Sequence, residues 1–116
     1  MAGTLIIKGG VSLKGLQREA LAALDECVTV FSNRGYEAVL TSARGDRHGA
    51  YSHHYKGLAF DLRSQHLRAD EKQEVLAAMQ ATIGPDYQCF LESLGAPYEH
   101  YHVEYDPQHV VSYPDI

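Results

Sequence analysis

Residues 57–62 and 100–105 alternate in polarity with a period of two, the spacing of a strand that buries one face. In the first run Leu58, Phe60 and Leu62 fall on one side, and Gly57, Ala59 and Asp61 on the other. In the second, Tyr101, Val103 and Tyr105 oppose His100, His102 and Glu104. Both runs are therefore predicted as strands whose apolar face belongs to a core. Their polar faces collect acids and imidazoles.

Shorter signals supply the other elements. Residues 4–8 form a β-prone run closed by Gly9 and Gly10. Leu16, Ala20, Leu24, Cys27 and Phe31 recur at helical spacing, with Ser12 as the candidate N-cap and Asn33-Arg34-Gly35 as the stop. Residues 36–41 read as a strand. Residues 69–83 read as a second helix with Val75, Leu76, Met79 and Ile83 on its apolar face, ended by Gly84-Pro85. Residues 87–91 give a further strand. Two main helices and four to five strands, with short connections late in the chain, predict an α+β fold built on an antiparallel sheet. A length of 116 residues fits a single domain, residues 1–116.

Composition narrows the function classes. With 45% hydrophobic and 22% charged residues, the chain is expected to fold and not to be disordered. Its net charge of −5 disfavours a dedicated nucleic-acid binder, which usually carries a basic excess. The start of the chain has no basic segment followed by a long apolar one. The expectation is cytoplasmic synthesis with no signal peptide and no membrane segment. Cys27 and Cys89 are far apart in apolar surroundings, with no CxxC pair. They are expected to be buried thiols, neither bridged nor metal-bound.

Histidine is the residue in excess. Four of the seven lie in residues 52–61 and 99–104, two clusters at the edge of or inside the two alternating runs. A histidine in a strand is commonly a hydrogen-bonded structural residue, and spacing alone leaves that reading open. The other reading is a metal centre. Catalytic zinc is usually held by three protein ligands drawn from His nitrogen and carboxylate oxygen, and His54, Asp61 and His102 would give such a set. The polar stretch 42–56 is long for a connection without its own structure, which is often a functional loop.

Three pieces of sequence together resemble a known superfamily. They are Thr41-Ser42, then Ser52-x-His54-x-x-Gly57-x-Ala59-x-Asp61, then Glu99-His100-x-His102-Val103-Glu104. They look like the D-alanyl-D-alanine carboxypeptidase and hedgehog-type zinc peptidases, most of all the small phage-encoded members that cut peptidoglycan stem peptides. The resemblance runs from about Thr41 to Pro107. It implies Zn2+ held by His54, Asp61 and His102, and Glu99 as general base. It implies that His100 binds substrate or stabilises the oxyanion. It also implies a loop arginine, Arg44 or Arg47, that assists with the oxyanion or a substrate carboxylate. His48, Ser52 and Tyr55 are the matching candidates for substrate contacts.

The implied activity is metal-assisted hydrolysis of a peptidoglycan peptide, of D-Ala-D-Ala carboxypeptidase or L-Ala-D-Glu endopeptidase type. Action on the wall would follow release of the protein from the cell. A zinc-bearing binding module, or a phage structural module without peptidase activity, is the alternative. One geometric difficulty accompanies Glu99. Positions 99 and 102 of a regular strand point to opposite faces, so Glu99 is expected in the loop or at a bulge entering the strand. Glu92, at the end of the preceding strand, is the substitute base. Glu104 is expected to support a ligand histidine, and His53, His66 and His109 to stand outside the site.

Overall fold

The computed structural model describes residues 3–43 and 57–107. The order of elements is β1 (Leu5–Ile7), α1 (Arg18–Asn33), β2 (Ala38–Ser42), β3 (Ala59–Arg63), α2 (Lys72–Ile83), β4 (Tyr87–Glu92) and β5 (His100–Tyr105). The five strands form one sheet in the order β1-β2-β3-β5-β4. All neighbours are antiparallel except β1 and β2. That exception has a simple cause: α1 lies between these two strands in the chain, and a helical crossover returns the second strand in the direction of the first. The fold is α+β, with a mostly antiparallel sheet.

Both helices pack on the apolar face of the sheet. Ala20, Leu24, Cys27 and Phe31 of α1 meet Leu40, Phe60, Leu62, Tyr101 and Val103 of the strands, with Val75 and Met79 of α2 completing the core. Phe31 and Tyr101 meet edge to face, their ring centres 5.8 Å apart. The Tyr101 hydroxyl donates to the Lys72 carbonyl at 2.7 Å, which ties the first turn of α2 to β5. Both thiols are free and buried. Burial raises the Cys27 pKa and pushes Cys89 up to about 12, so neither is a reactive thiolate at neutral pH.

Local chemistry adjusts the element ends. The helix expected after Ser12 begins later, at Arg18, with Gln17 as its N-cap residue. The Ser12 hydroxyl instead accepts from the Lys14 N–H in the loop before it. The stop at Asn33-Arg34-Gly35 holds: Gly35 has φ +82, a conformation that favours glycine, and its N–H donates to the Ser32 carbonyl. The second helix starts at Lys72, three residues inside the expected start, and ends at Gly84 with φ +87. No helix among the described residues is long and apolar enough to cross a membrane.

Candidate metal centre

Register assembles the polar face. Asp61 of β3 lies directly opposite His102 of β5, and Arg63 opposite His100. On the other side of β5, Phe90 of β4 pairs with His102 and Glu92 with His100. Asp61, His100, His102, Glu104 and Glu92 are thereby gathered on the face away from the helices.

Asp61, His100 and His102 each offer one ligand atom, and these atoms all lie within 4.8 Å of one another. Asp61 Oδ1 is 2.9 Å from His102 Nδ1, and Asp61 Oδ2 is 3.7 Å from His100 Nε2. Adjacent ligands on a tetrahedral zinc with bonds of about 2.05 Å stand roughly 3.3 Å apart. The two separations bracket that value. Asp61 is 8% exposed, so its charge needs a counter-charge close by.

The hydrogen bonds orient the two rings. His100 Nδ1 lies 2.9 Å from the Tyr98 carbonyl, which can only accept. Nδ1 therefore donates to that carbonyl, and Nε2 faces Asp61 and Glu92. His102 Nε2 lies 2.8 Å from Glu104 Oε1, and Nδ1 contacts Asp61. Burial alone would lower the His102 pKa, but the hydrogen bonds to Asp61 and Glu104 outweigh it and lift the ring to about 9. The ring is thus held as a cation between two carboxylates. Once its ring gives up a proton, His102 could help Asp61 and His100 hold a metal ion, with Glu104 still accepting from the remaining N–H. That carboxylate–histidine–metal relay orients ligands in known metal sites. The Phe90 ring covers His102 at a centroid distance of 5.1 Å.

Glu99 is placed differently from its partners in the sequence motif. It does lie in the connection just before β5, as expected. Its carboxylate, however, accepts from Ser64 Oγ at 2.6 Å, Lys72 Nζ at 2.7 Å and the Gly95 N–H at 2.9 Å. Ser64 is fully buried and Lys72 opens α2, so these partners engage the Glu99 carboxylate, although Glu99 also lines the cavity beside Asp61 and His100. Burial raises its pKa, but the bonds from Lys72, Ser64 and Gly95 together bring it down to about 2. Glu99 is thus committed to Ser64, Lys72 and Gly95, and no ion pair joins it to His100 or His102 among the described residues. Besides Asp61, the acid that borders both rings among the described residues is Glu92. Its Oε1 is 3.8 Å from His100 Nε2 and 3.7 Å from His102 Nδ1.

A pH dependence follows from the Glu99 cluster. Its folded pKa lies below the ordinary 4.5, so the stability its ionised form contributes is fully present above that pH and is lost as pH falls toward about 2. Unfolding free energies of the wild type and Glu99→Gln should converge across that window. A difference that stays constant from about pH 6 to pH 2 would show that the ion pair adds no stability.

Of the other residues read from sequence, Arg44, Arg47, His48, Ser52, His53, His54, Tyr55 and His109 lie outside the described residues. His66 stands away from the metal group. Its Nε2 bonds the Glu37 carbonyl at 2.7 Å, and its ring packs near Phe31 and Tyr36. The sequence reading missed His100 as a member of the metal group, although its shared parity with His102 was a usable signal. Lys72 as the partner of Glu99 had no signal, because the contact spans 27 positions. Comparison with protein-family models, curated proteins and solved structures finds no match to this chain.

Proposed function

We propose that the chain is a zinc-dependent peptidase acting on peptidoglycan stem peptides. The observation that carries this reading is the convergence of Asp61, His100 and His102 on one point of the sheet. Two imidazole nitrogens and a carboxylate suit zinc better than magnesium or calcium, which prefer all-oxygen shells. The substrate class comes from the motif resemblance in residues 41–107. Asp61, His100 and His102 would hold the ion, which supplies Lewis acidity toward a scissile carbonyl and toward water. His100 is assigned as a ligand because its Nδ1 proton is committed to the Tyr98 carbonyl and its Nε2 faces Asp61. Glu104 and Tyr98 fix the ring orientations.

Glu92 is assigned as the general base. Its carboxylate borders both rings and lies outside the compact group of three, a position suited to moving protons beside an ion. It would take a proton from the attacking water and return it to the leaving nitrogen. Glu99 would need to leave three hydrogen bonds to do the same. The engagement of Glu99 is also what favours a second reading, a zinc-bearing binding module without hydrolysis. Digestion of purified peptidoglycan with the zinc-loaded protein, followed by mass spectrometry, separates the two. New stem-peptide fragments absent from a chelator-treated control are expected. An unchanged digest from protein that holds a full equivalent of zinc would favour the binding module.

A further inference from the structure

The orientation of His100 depends on one carbonyl, that of Tyr98, and this carbonyl belongs to residues 93–99, which join β4 to β5. Two local backbone bonds fold the connection. The Ala96 N–H donates to the Ser93 carbonyl at 2.9 Å, and the Glu99 N–H to the Ala96 carbonyl at 3.0 Å. Gly95 has φ +85, which glycine adopts freely, but Ser93 has φ +57. A residue with a side chain is uncommon there and persists where surrounding contacts fix the backbone. Leu94 and Tyr98 are 64% and 70% exposed, so their side chains contribute little of that constraint.

The constraint comes instead from two consecutive residues just after β3. Ser64 Oγ donates to the Glu99 carboxylate at 2.6 Å. Gln65 Nε2 donates to the Pro97 carbonyl and lies 3.4 Å from the Ala96 carbonyl. Strand β3 carries Asp61, so these bonds fasten the segment that follows one member of the metal group to the segment that orients another. The two residues act from different places. Ser64 is fully buried and reaches Glu99, the neighbour of His100 in the chain. Gln65 is exposed and reaches the carbonyl immediately before that of Tyr98. Gln65, Pro97 and Tyr98 all line the cavity that opens beside Asp61 and His100, so the contact lies at the edge of the site. Fixing an exposed glutamine costs side-chain entropy, and this one is set on two carbonyls of the connection that serves the centre.

We infer that Gln65 is a positioning residue for His100. By holding the Pro97 carbonyl it fixes the next peptide unit, whose Tyr98 carbonyl turns the His100 ring toward Asp61. Gln65 has no part in the ligand group and acts through Tyr98 and His100. Its bearing on zinc rests on the metal-centre reading. Groups that orient a ligand histidine carry about 10–100-fold of metal affinity. Gln65 stands one contact further out, so the lower end is expected.

The test compares the full chain with two variants. Gln65→Met keeps the reach of the side chain and removes the donor, and Gln65→Lys restores an N–H donor. Nitrogen-15 spectra of the metal-free proteins read the His100 Nδ1 proton, whose exchange with water is slowed by the Tyr98 carbonyl. Exchange should be at least about tenfold faster in Gln65→Met and return to within about threefold of the wild type in Gln65→Lys. Calorimetric titration should show zinc binding about tenfold more weakly to Gln65→Met. Its melting temperature should stay within about 3 °C of the wild type, because the position is exposed and water can replace the lost donor. Exchange within about threefold of the wild type in Gln65→Met overturns the inference. So does zinc affinity within about threefold where the wild type binds zinc, or a larger fall in melting temperature, which would mark a general structural role. A wild type that binds no zinc, with the His100 proton still loosened in Gln65→Met, removes the metal-centre reading and keeps the positioning of His100.

Discussion

His102→Gln should lose zinc affinity by on the order of a thousandfold, equivalent to about 4 kcal/mol, and lose hydrolysis with it. The size of the effect follows from the position of His102. Among the described residues it is the ring that touches Asp61 within hydrogen-bond distance, and Glu104 holds its far nitrogen. Glutamine keeps an N–H donor for one of those carboxylates but offers no imidazole lone pair. The protein should still fold, because the two acids keep a polar partner between them. Zinc titration of the purified variant is the check. A variant that binds zinc within threefold of the wild type would remove His102 from the ligand set.

Glu92→Gln should lower kcat/KM by about 10²–10⁴-fold while leaving zinc content and melting temperature close to wild type. Glu92 ends β4 with its side chain 40% exposed, where a substitution away from the core costs about 0.5 kcal/mol or less. Glu99→Gln should behave in the opposite way. It removes the charge partner of Lys72 in a site where Glu99 is almost wholly buried, a loss of roughly 3 kcal/mol. In a domain of this size that is about 10 °C or more in melting temperature. Activity per folded molecule should fall far less than in Glu92→Gln. Kinetics and thermal melts on the two variants decide the assignment. If Glu99→Gln abolishes turnover and Glu92→Gln does not, Glu99 reaches the substrate after all.

Strand β5 was legible to the residue, because alternation over His100–Tyr105 admits only one register relative to the core. The same alternation raises the difficulty with Glu99, whose carboxylate is held by Ser64, Lys72 and the Gly95 N–H. The parallel pairing of β1 with β2 was hidden, since it depends on where α1 carries the chain. The start of α1 was misplaced because Ser12 has good capping chemistry that a local turn uses first. At the centre, Asp61 and His102 were readable as a pair from spacing and resemblance. The role of His100 depends on the Tyr98 carbonyl orienting its ring, and that of Glu99 on a lysine 27 positions away. Contacts of this kind arise from tertiary packing and leave no local pattern.

The central claim is that Asp61, His100 and His102 form a metal site. Calorimetric titration of the metal-free full chain with Zn2+ tests it most directly, with thermal melts at each end point. One equivalent should bind, with a higher melting temperature on loading, and Asp61→Asn should lose both. Excess ligand at 100 times Kd stabilises a fold by about 2.7 kcal/mol, which a melt resolves easily. Less than about half an equivalent of zinc, with no change in melting temperature on adding or chelating the ion, would contradict it.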